Sequence, residues 1–171
     1  MEPQTQLEKA LPSVGRARRA RITDIPALRK ILKGEPPFAA FGGMSPERVE
    51  VQMRMNLARC LGNPDHSVWA AETAFGKVVG YVAVHWLPHV CFTGPEGYVS
   101  ELFVRFDHRG GGWGKRLLEV VRQEATRRGC IRLHLINDKS WTSYSRKFYL
   151  KAGWRERADT ADFVLDLKKT A

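Results

Sequence analysis

Four glycines fall within the six residues Arg109-Gly110-Gly111-Gly112-Trp113-Gly114. Such a run is entropically costly to order, so it marks a turn in which bare backbone approaches something closely. Before it, Tyr98 to Val104 is a short, mostly apolar run rich in β-formers. After it, Trp113, Leu117, Leu118, Val121 and Ala125 recur at helical spacing with charges between them, and Gly129 supplies a left-handed stop. A strand therefore feeds a helix through a glycine-rich turn, and the exposed N–H groups at that helix start, followed by Lys115 and Arg116, form an anion site. Two familiar phosphate loops do not fit. A Walker loop needs glycine five residues before its Gly-Lys pair and a hydroxyl residue after it, and here Arg109 and Arg116 stand in those places. The dinucleotide fingerprint needs a third glycine where Lys115 or Leu117 stands, and a downstream acid for the ribose that is missing near Arg128.

The 171 residues suit one domain with a core of its own. A tail is expected over residues 1–15 and a single domain over 16–171. Cys60, Cys91 and Cys130 are scattered and odd in number, which argues against a disulfide frame or a zinc site and for a reducing, cytoplasmic setting. No metal is expected. No apolar run approaches a membrane span, and the N-terminus carries no signal-like stretch. Of the net charge of +10, Arg105 to Arg132 supplies eight Lys/Arg against three acids. A basic helix face and a small anionic ligand account for that excess. No motif interleaving basic and aromatic residues points to nucleic acid.

Along the chain, Arg16 to Ile22 reads as a polar edge strand. A helix follows, capped by Thr23 or Asp24, with Ile25, Leu28, Ile31 and Leu32 on one face. Pro36-Pro37 and Gly42-Gly43 make a loop carrying Phe38 and Phe41, and Ser45-Pro46 opens a second helix through Leu61. Ser67–Thr73 and Lys77–Trp86 form a hairpin. Beyond Gly129, Ile131–Ile136 is a strand, Trp141–Ala152 a helix capped by Ser140, and Trp154–Arg157 with Asp162–Leu167 a closing pair of short strands. The central strand–helix–strand unit requires a right-handed crossover and two parallel neighbours.

Arg109, Gly112 and Gly114, as Arg-x-x-Gly-x-Gly between strand and helix, resemble the signature of the GNAT superfamily of acetyl-CoA-dependent N-acetyltransferases. The segment Phe148-Tyr149-Leu150-Lys151-Ala152-Gly153-Trp154 is similar to that family's late helix. The resemblance runs from about Arg16 to Leu167. It implies an α/β (α+β) fold built on a mixed, mostly antiparallel sheet of six to seven strands, with a central parallel pair and flanking helices. It further implies acetyl-CoA as co-substrate, held at its pyrophosphate by Arg109, Gly110, Gly111, Gly112, Trp113 and Gly114, with Lys115 or Arg116 toward the ribose phosphate. Leu102, Phe103 and Val104 would lie along the acyl arm, where a backbone N–H meets the thioester carbonyl. An asparagine and an alanine usual in the late helix are replaced by Thr142 and Ser145, so Asn137 and Ser145 become the pantetheine candidates on that side.

The family places a general acid at Tyr149, and a phenol near sulfur can donate to a departing thiolate without prior charge. Glu101 is the base candidate, expected to lie buried in an apolar run, with His85, His108 and His134 as alternatives. Direct transfer in a ternary complex to a primary amine of a small molecule or peptide follows. The other reading is an acyl-CoA-binding sensor or scaffold without turnover. Glu35, Glu47 and Glu72 are acids available to a cationic acceptor. The acceptor's identity and the association of two copies into a homodimer are left open.

Overall fold

The computed structural model describes residues 15–165 and 167; the expected N-terminal tail up to residue 14 lies outside them. The chain divides into two compact units, residues 1–136 and 137–171.

The first unit is a five-stranded sheet in the order β1-β2-β3-β4-β5. The strands are β1 (Arg16–Arg19), β2 (His66–Glu72), β3 (Val78–Leu87), β4 (Glu96–Val104) and β5 (Arg132–His134). Helices α1 (Ile25–Leu32) and α2 (Pro46–Leu61) separate β1 from β2, and α3 (Trp113–Arg127) crosses from β4 to β5. The first four strands pair antiparallel and β4–β5 pair parallel, the mixed sheet expected, because only a crossover helix can return the chain in the same direction.

Strand alternation divides the buried residues between two layers. One sheet face meets α3: a Cβ at Gly80 would lie 3.4 Å from Leu117, and Arg128 lies over the Trp86 ring at 4.8 Å. Gly97 leaves room for that indole and for Leu133, since a Cβ there would come within 2.7 Å of the ring and 2.4 Å of the leucine. The other face, with Tyr81 and Phe103, is packed against the α1–α2 side. Ser45 caps α2 as expected, accepting from the Arg48 N–H. Asp24 does not cap α1 with its side chain; its carboxylate instead takes both guanidinium nitrogens of Arg18, at 2.8 and 2.9 Å.

A buried carboxylate pins α3 to the sheet. Glu124 is 4% exposed and accepts from Arg19 at 2.7 Å, Arg128 at 2.9 Å and Ser67 at 3.1 Å. Ser67 in turn accepts from the Trp86 indole N–H. Burial by itself pushes the Glu124 pKa up, and the arginines and the hydroxyl outweigh it and hold the group below its ordinary value.

The second unit departs from expectation. Instead of one helix over Trp141–Ala152 there are two single turns, α4 (Thr142–Ser145) and α5 (Phe148–Lys151). The break falls at Lys147, whose φ of 54° is left-handed, a conformation a helix cannot propagate through. Ser140 bonds Asp138 rather than capping. The described residues of Trp154–Arg157 and Asp162–Leu165 form no strand, and residue 166 of that segment lies outside those described. Phe163, Val164 and Leu165 are exposed. The sheet thus has five strands among the described residues rather than six or seven.

Glu124→Ala should cost about 3 kcal/mol in urea unfolding, because two arginines and a hydroxyl lose their acceptor. A depressed carboxylate contributes stability that is complete above its unfolded pKa of ~4.3 and is lost as pH falls through the lower folded value. The gap between wild type and variant should therefore shrink below about pH 4.

Candidate active site

The glycine turn is the first component. Gly110 and Gly112 have φ of 84° and 80°, values open to glycine at little cost and strained for other residues. Gly112 is the N-cap of α3 and offers no side-chain cap. Among the described residues, the N–H groups from Gly110 to Lys115 find no backbone or side-chain acceptor. Consecutive unbonded N–H groups at the positive end of a four-turn helix make an anion cradle. The neighbouring acid does not oppose it, because Asp107 accepts from both Arg105 and His108.

The basic residues of this turn are not equivalent. Arg109 donates through Nε to the Val104 carbonyl at 2.9 Å and pairs with Glu35, just before the Pro36–Phe41 turn between α1 and α2. It ties three segments together. Arg116 turns back to the Gly15 carbonyl at 3.1 Å and stacks on Trp113, so it does not extend over the cradle. Lys115 is exposed.

The second component is β4. It pairs with β3 from Glu96 to Val104, but with β5 only through Glu96, Gly97 and Tyr98. Beyond Tyr98 its outer edge has no strand neighbour among the described residues, and on that edge the Val104 carbonyl accepts from Arg109. Leu102, Phe103 and Val104 lie along this edge, which leads to the glycine turn.

A β-bulge sits where β5 departs. Ala83 pairs Glu101 and Val84 pairs Val99, leaving Ser100 as the extra residue. Its effect is legible in the contacts. Ser100 Oγ lies 2.9 Å from His85 Nε2, and Glu101 accepts at 2.5 Å from the Tyr81 hydroxyl. Tyr81 and His85 are four apart on β3 and share one face. Consecutive residues of β4 thus address the same face, which a regular strand forbids and a bulge permits.

Glu101 does not lie buried; its side chain is exposed, and the premise of burial in an apolar run is not met. Tyr81 is the buried member, 3% exposed. Burial first, then the Glu101 charge and bond, push its phenol well above the ordinary range, so it remains a donor. His108 is held by Asp107 at 2.7 Å.

In the second unit, Asn137 accepts from Ser143 at 2.8 Å, and Ser145 donates to the Thr142 carbonyl. Tyr149 packs edge-on against Phe148 at 4.9 Å and Trp154 at 6.0 Å. The Ala-Gly-Trp sequence after it closes α5 with Gly153 at φ 87° and a Trp154 N–H to Tyr149 carbonyl bond, a left-handed helix stop. Burial alone raises Tyr149 to about 12.

A model of the acetyltransferase (GNAT) family matches residues 25–154, a span that contains the glycine turn, the bulged strand and Tyr149. The chain belongs to the GNAT acetyltransferase family. No curated protein matches it in sequence. Solved structures share its fold. A transcriptional regulator from Bacillus halodurans C-125 is 17% identical with a TM-score of 0.75, covering 90% of this chain and 99% of that one. An aminoglycoside acetyltransferase from an uncultured soil metagenomic sample, in complex with sisomicin, is 20% identical with a TM-score of 0.70, covering 90% and 97%. Glucosamine-6-phosphate N-acetyltransferase from Arabidopsis thaliana is 18% identical with a TM-score of 0.67, covering 90% and 100%. Among GNAT members this chain therefore carries an acyl-transfer fold with its glycine turn intact.

Two participants were not singled out from sequence, Tyr81 as the partner of Glu101 and Ser100 as the partner of His85, and Glu35, read from sequence as an acid for a cationic acceptor, pairs instead with Arg109. Period-two spacing on β3 marks Tyr81 and His85 as sharing a face, but the cross-strand register that finds their partners is tertiary.

Gly112→Val should weaken binding of inorganic pyrophosphate at least about tenfold in calorimetry. Its left-handed φ costs a non-glycine residue roughly 1–2 kcal/mol, and that strain falls on the cradle.

Proposed function

We propose that this protein transfers an acetyl group from acetyl-CoA to a primary amine of a small molecule or peptide, directly and without an acyl-enzyme. The observation that carries the reading is the run of N–H groups from Gly110 to Lys115 that find no acceptor among the described residues, following on the stretch of β4 that β5 does not pair. The cradle matches a diphosphate in charge, and the edge matches an extended amide-bearing arm, which a strand edge recognises by backbone hydrogen bonds. These residues fit coenzyme A. In this reading Gly110 to Lys115 hold the pyrophosphate, and the backbone of Leu102 to Val104 binds the pantetheine arm. One N–H of that edge stabilises the carbonyl oxygen as charge builds on it, worth about 3 kcal/mol for a preorganised donor. Arg109 positions the turn against Val104 and Glu35 more than it meets phosphate.

Glu101 is proposed to receive the acceptor as its ammonium. Its carboxylate is exposed and its orientation is fixed by the Tyr81 bond. Tyr149 is proposed as the donor to the departing sulfur. With a pKa of about 12 it is fully protonated at neutral pH. A thiol titrates near ~8.5, so the phenol serves as a hydrogen-bond donor to the developing thiolate and passes its proton only as it is itself reprotonated. Asn137 and Ser145, proposed for the pantetheine, are engaged within their own turns and contribute at most by exchanging those bonds.

The test is release of free thiol from acetyl-CoA across amino acids, polyamines, aminoglycosides, arylamines and peptide N-termini. Turnover with at least one class is expected. Cofactor binding without thiol release from any would favour a sensor or scaffold. Tyr149→Phe should lower kcat by roughly 10²–10⁴ with KM for acetyl-CoA nearly unchanged; an unaltered rate would remove the phenol from the chemistry.

A further inference from the structure

We propose that His85, acting through Ser100, takes the proton that the acceptor amine must lose before it attacks the thioester. The proposal rests on the acyl-transfer reading above and adds the residue to which that proton goes.

The geometry begins at the bulge. Ser100 is the unpaired residue of β4, two residues past the last pairing with β5 at Tyr98. Its Oγ lies 2.9 Å from His85 Nε2 and 3.4 Å from the Ala83 carbonyl. The hydroxyl has one proton, which the 3.4 Å contact directs to the Ala83 carbonyl, while the 2.9 Å contact runs in either direction with the imidazole tautomer. The relay uses the tautomer with its proton on Nδ1, to whose Nε2 the hydroxyl turns to donate. Glu101, next in sequence, holds its carboxylate on the same face. An ammonium bound by Glu101 is thereby brought beside a hydroxyl that lies 2.9 Å from an imidazole nitrogen.

The surroundings keep that imidazole neutral. Burial, then the neighbouring His66, depress the His85 pKa below its ordinary value. The His66 ring stands edge-on at 4.4 Å from β2, and Tyr98 lies at 6.2 Å from β4, with His134 of β5 beyond it. Ser100 and Glu101 complete the β4 side, and on α2 burial first, then the Glu101 charge, raise the Cys60 thiol. Glu101 bonds Tyr81 and makes no hydrogen bond to His85 among the described residues. A neutral imidazole still accepts a proton at pH 7.

The step balances. The ammonium gives a proton to Ser100 Oγ as Ser100 gives its own to His85 Nε2, leaving a free amine and an imidazolium. The amine nitrogen bonds the carbonyl carbon, the carbon–sulfur bond breaks, and the second nitrogen proton accompanies the sulfur as free thiol. The imidazolium then returns its proton to solvent.

In the acetyl-CoA thiol-release assay, wild-type kcat should fall on an acid limb below about pH 6.5. His85→Gln should lower kcat by ~10² or more and abolish that limb, with KM for acetyl-CoA unchanged. Ser100→Ala should cost at least about tenfold and Ser100→Thr should restore the rate, a rescue that a packing role would not produce. Nitrogen-detected NMR of the folded protein should show His85 neutral at pH 7 with Nε2 unprotonated. An active wild type whose His85→Gln variant keeps its rate and acid limb, or a protonated Nε2, overturns the relay alone. A wild type that releases no thiol with any amine overturns acyl transfer, and the relay with it.

Discussion

Backbone N–H groups that the fold leaves without internal partners are the constraint on which the rest of this molecule depends. Proteins pair nearly all such groups when they are sheltered, and here, among the described residues, two sets lack the ladder partners that regular structure would give them. The first is the start of α3, where glycines at positive φ turn successive amides outward and no side chain caps them. The second is the outer edge of β4 after Tyr98, where β5 has already left. Neither set carries sequence-specific chemistry. Together they offer an anion-binding helix start and a strand edge suited to backbone hydrogen bonding.

Holding such an opening requires rigidity elsewhere. The parallel β4–β5 pair is only three residues long, so α3 is fixed by other means. Leu117, Leu118 and Val121 pack on the sheet, and Glu124 draws Arg19 from β1, Ser67 from β2 and Arg128 from beyond the helix into one buried cluster. That cluster sits at the far end of α3 from the cradle. Arg109 performs the corresponding task at the near end, joining the glycine turn to the last carbonyl of β4 and to Glu35. Its guanidinium therefore ties the segment between α1 and α2 to the glycine turn.

Much of this was legible from residue order. The glycine turn, its helix, the β2–β3 hairpin and the parallel return follow from periodicity and turn chemistry, because those are local preferences repeated over many residues. The late helix was misjudged in extent, since its apolar spacing did not register the left-handed Lys147 that divides it. The closing strands were read from short runs of β-forming residues, Trp154–Arg157 and Asp162–Leu167, but such residues describe a segment suited to a sheet and not the presence of a neighbour to pair with. Glu101 was read as buried because apolar residues flank it, whereas the bulge at Ser100 carries its side chain to an exposed place on the face shared with Tyr81 and His85.

By itself, the order of amino acids determined that a strand would enter a helix through bare backbone suited to an anion, that the sheet would contain a parallel pair, and that Tyr149 would precede a glycine-stopped turn. These depend on contacts within a few residues of one another. Only the tertiary structure decided that Ser100 is the extra residue of β4, that it meets His85, that Glu101 meets Tyr81, and that Arg109 meets Glu35. Each of those pairs joins distant segments across a strand register or a loop closure, and a register is settled by how whole faces bury, which no short stretch of chain can specify.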